Sequence, residues 1–174
     1  AMIAKMRNMG EACTAANRFL VHTDVAEEFS GRLAERMGAL TVGRGTEAGI
    51  DVGPLVDAPS QAKVSELVDD AVQAGAKVLA GGSTVGEQGY FYAPTVLTDV
   101  PASARLLSEE IFGPVAPVTT FSTDDEALAL ANAGEYGLVA YAYTRDLTRA
   151  VRVAERLDTG MVGLNQGIVS NPAA

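Results

Sequence analysis

The sequence is poor in residue types on which several kinds of site depend. Among 174 residues there is one cysteine, Cys13, one histidine, His22, and no tryptophan. A single cysteine excludes an intrachain disulfide and any metal site built from several cysteines. A single histidine excludes the HExxH zinc motif and every site that needs two histidines. The sequence also lacks a GxSxG nucleophile elbow and a GxxxxGK[ST] phosphate loop.

Long apolar runs and positive charge are also scarce. No stretch of about 20 apolar residues occurs, which argues against a membrane span, and no secretory signal is visible. Lys and Arg number 13 against 22 Asp and Glu, so the net charge is −9. Such a surface repels phosphate backbones. We therefore expect a cytoplasmic protein that binds neither nucleic acid nor a membrane.

The remaining sequence alternates between strand-like and helix-like segments. Hydrophobic residues make up 48% of the chain, and its length suits one ordinary domain. Helical segments between successive strands indicate crossover connections, which join parallel strands. We therefore predict an α/β fold with three layers, a largely parallel sheet with helices on both faces. The predicted strands are 18–22, 77–80, part of 90–100, 115–121, 139–143 and 161–164, and the predicted helices are roughly 24–40, 59–75, 124–133 and 146–157.

Several residues predict where these helices begin and end. Thr23 or Asp24 is expected to cap the first helix, and Thr123 with Glu126 fits a capping box. Gly75 is a natural stop for the second helix. The last helix has apolar residues on one side, namely Leu147, Ala150, Val151, Ala154 and Leu157.

Cys13 is a candidate nucleophile. Small residues surround it, Gly10 allows a close backbone approach, and Arg7 and Arg18 lie nearby in the sequence. Positive charge or amide donors stabilise a thiolate, which is the reactive form of cysteine. The alternative is a buried and inert thiol, because free cysteines are among the most buried residues.

Four segments resemble the motifs of NAD(P)-dependent aldehyde dehydrogenases. Residues 7–18, RNMGEACTAANR, are similar to the cysteine signature FxNxGQxCxxxxR, and residues 109–115 match the EEIFGPV segment. Residues 136–146 resemble the YGLxAxxxTxD block, and residues 160–165, GMVGLN, resemble the strand before the substrate loop. The order of the four segments is that of the family, and together they cover essentially the whole chain. The fold implied is the cysteine-bearing catalytic domain.

The resemblance implies roles for three residues. Cys13 would attack the aldehyde, Glu110 would hold the ribose hydroxyls of NAD or NADP, and Phe112 would pack beside the nicotinamide. A carboxylate can accept hydrogen bonds from two hydroxyls, which suits Glu110 to that role. The alternatives are a surface charge for Glu110 and ordinary core burial for Phe112.

Within the family, residues 7–8, 16–18 and 165–171 resemble the corresponding segments of the succinate-semialdehyde dehydrogenases. The resemblance implies that Arg7 and Ser170 bind the distal carboxylate of the aldehyde substrate. A guanidinium can bind a carboxylate through two parallel hydrogen bonds. The alternatives are a structural charge for Arg7 and a loop-capping hydroxyl for Ser170. Another short aldehyde, such as glutarate semialdehyde, is the competing substrate.

Two features qualify the resemblance. Glu11 stands where the family usually has glutamine, and an inward negative charge there would raise the pKa of the Cys13 thiol. The family's cofactor-binding domain and oligomerisation segment have no counterpart in residues 1–174, so we expect a single catalytic domain from a longer, homo-oligomeric enzyme. Alone, it is expected to be inactive, and a non-catalytic fragment is the alternative from another functional class.

Overall fold

The computed structural model describes residues 1–169 and contains six strands and five helices in that range. Short 3₁₀ turns lie at Arg7–Gly10 and Arg105–Leu107. The predicted order of strands and helices is confirmed, and three strands have the predicted bounds. In chain order the elements are α1 Met2–Met6, β1 Phe19–His22, α2 Thr23–Gly38, α3 Ala58–Gln73, β2 Lys77–Ala80, β3 Thr95–Thr98, β4 Val115–Phe121, α4 Asp124–Asn132, β5 Val139–Ala142, α5 Leu147–Arg156 and β6 Met161–Leu164.

The strands form two sheets in the described residues. The four-stranded sheet has the order β1-β4-β3-β2, in which β4 runs parallel to both β1 and β3 and only β2 is antiparallel. The two-stranded sheet pairs β5 with β6 in parallel. The largely parallel α/β prediction is confirmed, and the division into two sheets is a feature that local patterns did not predict.

Helices cover both faces of the four-stranded sheet. Side chains alternate along a strand, so neighbouring residues of β3 and β4 point to opposite faces. Val96 and Ala116 pack with Met37 of α2. Leu97 and Val115 belong to a second cluster, which contains four residues of the α3 face: Val64, Leu67, Val68 and Ala71. The sheet therefore lies between α2 and α3 as the middle of three layers.

The first helix has a different cap from the predicted one. His22, not Thr23 or Asp24, is the N-cap of α2, and its Nδ1 accepts a hydrogen bond from the Asp24 N–H at 3.2 Å. A histidine can do this because one nitrogen of its neutral ring is an acceptor. The strand ends at His22 and the helix begins directly after it, which leaves no room for a later cap. Gly75 has a φ of 117° just after α3, as expected of a helix stop.

The apolar side of α5 is only partly packed. Ala150 is buried, whereas Leu147 and Val151 are 79% and 48% exposed. The predicted helix is therefore present, but its apolar side is not uniformly covered. The helix contacts β5, β6 and α4. A small alanine side chain at the contact lets α5 approach these neighbours, while the larger residues lie beside it. Across residues 1–169 we find no helix that combines the length and apolar character a bilayer crossing needs.

Candidate active site

Cys13 lies at the tip of a tight turn between α1 and β1. The Ala15 N–H donates to the Ala12 carbonyl at 2.8 Å, so Cys13 is the second residue of a four-residue turn, residues 12–15, here called the cysteine turn. Its side chain is exposed. The alternative of a buried and inert cysteine does not fit this position.

Three hydrogen bonds anchor the end of the cysteine turn. The Tyr141 hydroxyl of β5 donates to the Thr14 carbonyl at 2.9 Å. The Ala16 N–H donates to the Ala4 carbonyl at 2.8 Å, and Lys5 Nζ donates to the Ala16 carbonyl at 3.1 Å. Burial lowers the pKa of Lys5 to about 7. The turn is thus bonded to both α1 and β5.

Glu11 has a structural partner outside the cysteine turn. Its Oε1 accepts a hydrogen bond from the Val56 N–H at 3.1 Å, and its own carbonyl accepts one from Asn8 Nδ2 at 2.7 Å. Asn8 and Met9 adopt left-handed backbone conformations just before it. The carboxylate that replaces the family's glutamine therefore bonds to the loop that leads into α3.

Glu110 and Phe112 follow the 3₁₀ turn at Arg105–Leu107, in a segment, residues 109–112, here called the Glu110 segment. Phe112 is 38% exposed and has a φ of 53°, a left-handed conformation that is unusual for a bulky residue. Glu110 is half-buried, and its carbonyl accepts a hydrogen bond from Lys63 Nζ of α3 at 2.6 Å. Burial of Phe112 in the core, the alternative considered for it, is excluded by this exposure.

One cleft brings the cysteine turn and the Glu110 segment together. It has a volume of about 780 Å³, and β1 and β5 contribute to its walls. Its lining includes Lys5, Cys13, Asn17, Glu110, Phe112 and Tyr141. A nucleophile candidate, a carboxylate and an exposed aromatic ring therefore face the same space, a combination that suits a small-molecule site.

Of the two residues predicted to bind the substrate carboxylate, only Arg7 lies within residues 1–169. Arg7 is exposed at the start of the first 3₁₀ turn. Burial raises the pKa of Tyr141, and the positive charge of Arg7 acts in the opposite direction, so Arg7 is within electrostatic reach of the cleft. Ser170 lies outside the described residues. In residues 1–169, no three His, Cys, Asp or Glu side chains are grouped as a metal ion would require.

Comparison with known proteins identifies the family. The profile described as "Aldehyde dehydrogenase family" matches residues 1–174. The chain belongs to the aldehyde dehydrogenase family. A succinate-semialdehyde dehydrogenase of Paenarthrobacter nicotinovorans is 59% identical over 174 residues, which are 100% of this chain and 39% of that protein.

Two further relatives of this aldehyde dehydrogenase chain are informative. A glutarate-semialdehyde dehydrogenase of Pseudomonas aeruginosa is 47% identical over 174 residues, 100% of this chain and 36% of that protein. A crystal structure described as an E. coli NADP dependent enzyme is 44% identical with a TM-score of 0.95, over 98% of this chain and 35% of that one. The chain thus spans less than two fifths of the length of the curated relatives it matches.

Some residues of this aldehyde dehydrogenase chain gain a role only from the structure. Arg18, in the cysteine motif, donates to the carbonyls of Leu130 and Ala131 near the end of α4, at 3.1 and 2.9 Å. Asn17 bonds to the backbone around Glu110, and Tyr141 bonds to the cysteine turn, whereas in the sequence both are only members of motifs. Their membership of a motif was the one available signal, because hydrogen bonds between remote segments leave no local pattern.

Proposed function

We propose that the full-length protein containing this chain is an NAD(P)-dependent dehydrogenase that oxidises succinate semialdehyde to succinate. The chain would supply the cysteine-bearing catalytic domain. The observation that carries this proposal is the exposed Cys13 on its turn, in a cleft that Glu110 and Phe112 also line. Family membership and the 59% identical succinate-semialdehyde dehydrogenase support it.

Cys13 is the proposed nucleophile. Its thiolate attacks the aldehyde carbon, a carbon–sulfur bond forms, and the carbonyl electron pair moves to oxygen. We assign the Cys13 backbone N–H as a donor to that oxyanion, because a fixed amide dipole costs little reorganisation. Exposure at the tip of the turn gives the aldehyde access to the sulfur. The bonds to Thr14 and Ala16 hold the backbone while the tip stays open.

Glu110 and Phe112 have side chains that suit a nicotinamide dinucleotide. The carboxylate accepts hydrogen bonds from ribose hydroxyls, and the exposed ring offers an apolar surface. When bound, a nicotinamide ring would supply the hydride acceptor, and so the two-electron oxidant, for the adduct that Cys13 holds. Water then hydrolyses the Cys13 thioester, which releases the carboxylate product and restores the thiol. We propose NAD or NADP as the cofactor.

Arg7, together with Ser170, is proposed to bind the distal carboxylate of the substrate. The charge of Arg7 acts on Tyr141, which lines the cleft, so an anionic group there would meet a favourable field. An aldehyde without a carboxylate lacks this interaction. The proposal therefore predicts discrimination by charge at the end of the substrate remote from the aldehyde.

Glutarate semialdehyde is the second candidate substrate. A relative named for that activity is 47% identical to the chain. The two substrates differ by one methylene, a difference worth roughly 1–3 kcal/mol in a fitted pocket. The ratio of their kcat/KM values in the full-length protein decides between them. Turnover of neither aldehyde would favour the non-catalytic alternative.

The substrate experiment compares Arg7→Ala with Arg44→Ala, another exposed arginine, in the full-length protein. Loss of a bidentate, charge-assisted contact costs about 2–3 kcal/mol, or roughly 30- to 150-fold in kcat/KM. We expect that loss for succinate semialdehyde with Arg7→Ala, a much smaller one for butanal, and neither with Arg44→Ala. Arg7→Lys should recover only part of the activity. Equal losses of kcat/KM for the two aldehydes would show that Arg7 supports the fold and does not bind the substrate carboxylate.

The nucleophile is tested separately with Cys13→Ser. Serine does not ionise near neutral pH, so aldehyde oxidation should be abolished while NAD(P)⁺ affinity stays within about twofold of wild type. Stopped-flow absorbance of NAD(P)H formation measures the first, and fluorescence titration measures the second. Substantial oxidation by the serine variant would refute the proposed mechanism.

A further inference from the structure

Asn17 connects the cysteine turn to the Glu110 segment. It lies four residues after Cys13, and its side-chain amide bonds to the backbone on both sides of Glu110. Its Nδ2 donates to the Glu109 carbonyl at 3.0 Å, and its Oδ1 accepts from the Ile111 N–H at 2.9 Å. One side chain thus fixes the backbone before and after the proposed ribose-binding residue.

Two further contacts make this connection rigid. Asn17 Nδ2 also lies 3.3 Å from the Leu106 carbonyl in the 3₁₀ turn, so the side chain bonds to three backbone groups. Gly10, three residues before Cys13, has a φ of 86°, and a Cβ there would overlap the Gly113 carbonyl oxygen. The backbone that leads into the cysteine turn therefore packs directly on the residue after Phe112. The two segments meet on both sides of Cys13.

We propose that Asn17 is a positioning residue that sets the place of the Glu110 segment relative to Cys13. The inference rests on the proposed function, in which Cys13 carries the aldehyde and Glu110 and Phe112 contact the cofactor. Transfer between two bound groups depends on their separation, and a displacement of about 1 Å can cost on the order of 100-fold in rate. Both polar atoms of the Asn17 side chain bond to backbone groups, so it acts through the backbone of the Glu110 segment.

A second asparagine provides a matched control. Asn132, at the end of α4, donates from Nδ2 to the Arg156 carbonyl at 2.9 Å and accepts at Oδ1 from the Asp158 N–H at 3.0 Å. This is the same bracketing of one residue by one amide, and it joins α4 to the end of α5. The bracketed residue, Leu157, lines the cleft, but Asn132 bonds to neither the cysteine turn nor the Glu110 segment.

The test compares Asn17→Asp with Asn132→Asp in the full-length protein. Aspartate keeps an acceptor for the backbone N–H but cannot donate to the carbonyls. For Asn17→Asp we expect kcat to fall about 10- to 100-fold. KM for the aldehyde and the rate of Cys13 alkylation by iodoacetamide without cofactor should stay within about twofold of wild type. NAD(P)⁺ affinity should weaken. Asn132→Asp should leave kcat within about twofold, since its bonds involve neither the cysteine turn nor the Glu110 segment.

Each other outcome overturns the proposal. A folded Asn17→Asp variant with kcat within about twofold of wild type shows that the bracket is not needed for positioning. A matching loss in Asn132→Asp shows a general effect on stability. Alkylation that falls in step with kcat shows that Asn17 supports the thiol and not the cofactor segment. If Asn17→Asp and then Asn17→Ser both fail to fold while Asn132→Asp folds, Asn17 is needed for the fold instead.

The failure of the proposed function has a different signature. In that case the wild-type protein itself oxidises neither semialdehyde. Even without turnover, nucleotide affinity can be measured by fluorescence titration with NADH and NADPH. The measurement compares wild type, Asn17→Asp and Asn132→Asp. Unchanged nucleotide affinity in Asn17→Asp under those conditions would overturn the Asn17 proposal as well.

Discussion

The inner strands of the four-stranded sheet, β3 and β4, differ from the two-stranded sheet in how far their apolar residues are buried. Val96, Leu97 and Val115 of the first are fully buried between α2 and α3. Met161 and Leu164 of the second are more than a third exposed. The first sheet has a helix on each face, whereas α5 packs on the second and β5 also lines the cleft. Apolar strands of similar composition therefore contribute differently to stability, because burial depends on what covers each face.

The difference also bears on the candidate site. The Glu110 segment leads directly into β4 of the four-stranded sheet, whereas Tyr141 of β5 reaches the cysteine turn from the two-stranded sheet. Binding sites are commonly placed where two structural units meet. The well-packed sheet thus carries the proposed cofactor residues, and the less covered sheet supplies one anchor of the turn.

Removing one leucine from each region should give the largest contrast. Leu67 of α3 is fully buried under the four-stranded sheet, whereas Leu147 of α5 is 79% exposed. Leu67→Ala should lower the free energy of unfolding by about 2–5 kcal/mol, through lost burial and the cavity left behind. Leu147→Ala should change it by less than about 0.5 kcal/mol. Urea titration followed by circular dichroism measures both, and similar losses would contradict the contrast.

Two glycines with positive φ differ in the space around them, since one is packed against backbone and the other is open. Gly10 and Gly49 both have positive φ, but a Cβ at Gly10 would overlap the Gly113 carbonyl, while one at Gly49 meets nothing within 4 Å. Gly49→Ala should cost about 1 kcal/mol from backbone strain alone. Gly10→Ala should cost roughly 1–3 kcal/mol more, since the contact is with backbone and not with a movable side chain. Thermal unfolding of both variants measures the difference.

Lys5, which is buried in α1, should make the free energy of unfolding depend on pH. Burial lowers its folded pKa to about 7, below the usual lysine value of 10.5, so the unfolded chain binds more protons between these values. Stability therefore rises with pH across that interval, by about 2 kcal/mol from roughly pH 7 to 9. Lys5→Met should remove this rise and be more stable than wild type at neutral pH.

Lys77 is the control for this pH effect. It is an exposed lysine whose pKa is raised by a hydrogen bond and charge from Asp99, so its contribution changes only above pH 10. Lys77→Met should retain the wild-type rise of stability between neutral pH and pH 9. Unfolding curves at several pH values measure the slope. An unchanged slope in Lys5→Met would mean that another group titrates in this range.

The smallest expected effect concerns the ion pairs that join α4 to α5. Asp125 contacts Arg156 and Arg152 at 2.6 and 2.7 Å, and hydrogen bonds from these guanidinium groups, aided by their charges, hold the pKa of its carboxyl below the usual value. The contribution of Asp125 to the free energy of unfolding is therefore complete above its unfolded pKa near 4. It is lost as the pH falls through its lower pKa in the folded protein. Asp125→Asn should slightly lower Tm at neutral pH. It should also reduce the fall of Tm as the pH is lowered into the acid range. The Tm difference should nearly vanish in 1 M salt.

Much of the local structure could be predicted from periodicity and caps. The bounds of β2 and β6 follow from short apolar runs. The start of α4 follows from Thr123, whose Oγ1 accepts from the Glu126 N–H at 3.2 Å. The box differs in one bond, because Glu126 Oε2 accepts from the Ser122 N–H at 2.8 Å. These features depend on residues a few positions apart, so the sequence contains the interacting partners side by side.

The amino-acid sequence by itself determined the α/β class and the order of helices and strands, because periodicity and caps are local, and the resemblance of its motifs suggested the residues of the candidate site. The tertiary structure decided the rest. Asn17 meets the Glu109 carbonyl 92 residues away, and Tyr141 meets the Thr14 carbonyl 127 residues away. It also decided that the apolar side of α5 stays partly exposed. Such contacts depend on how remote segments pack, and no local pattern records which backbone group a distant side chain will reach.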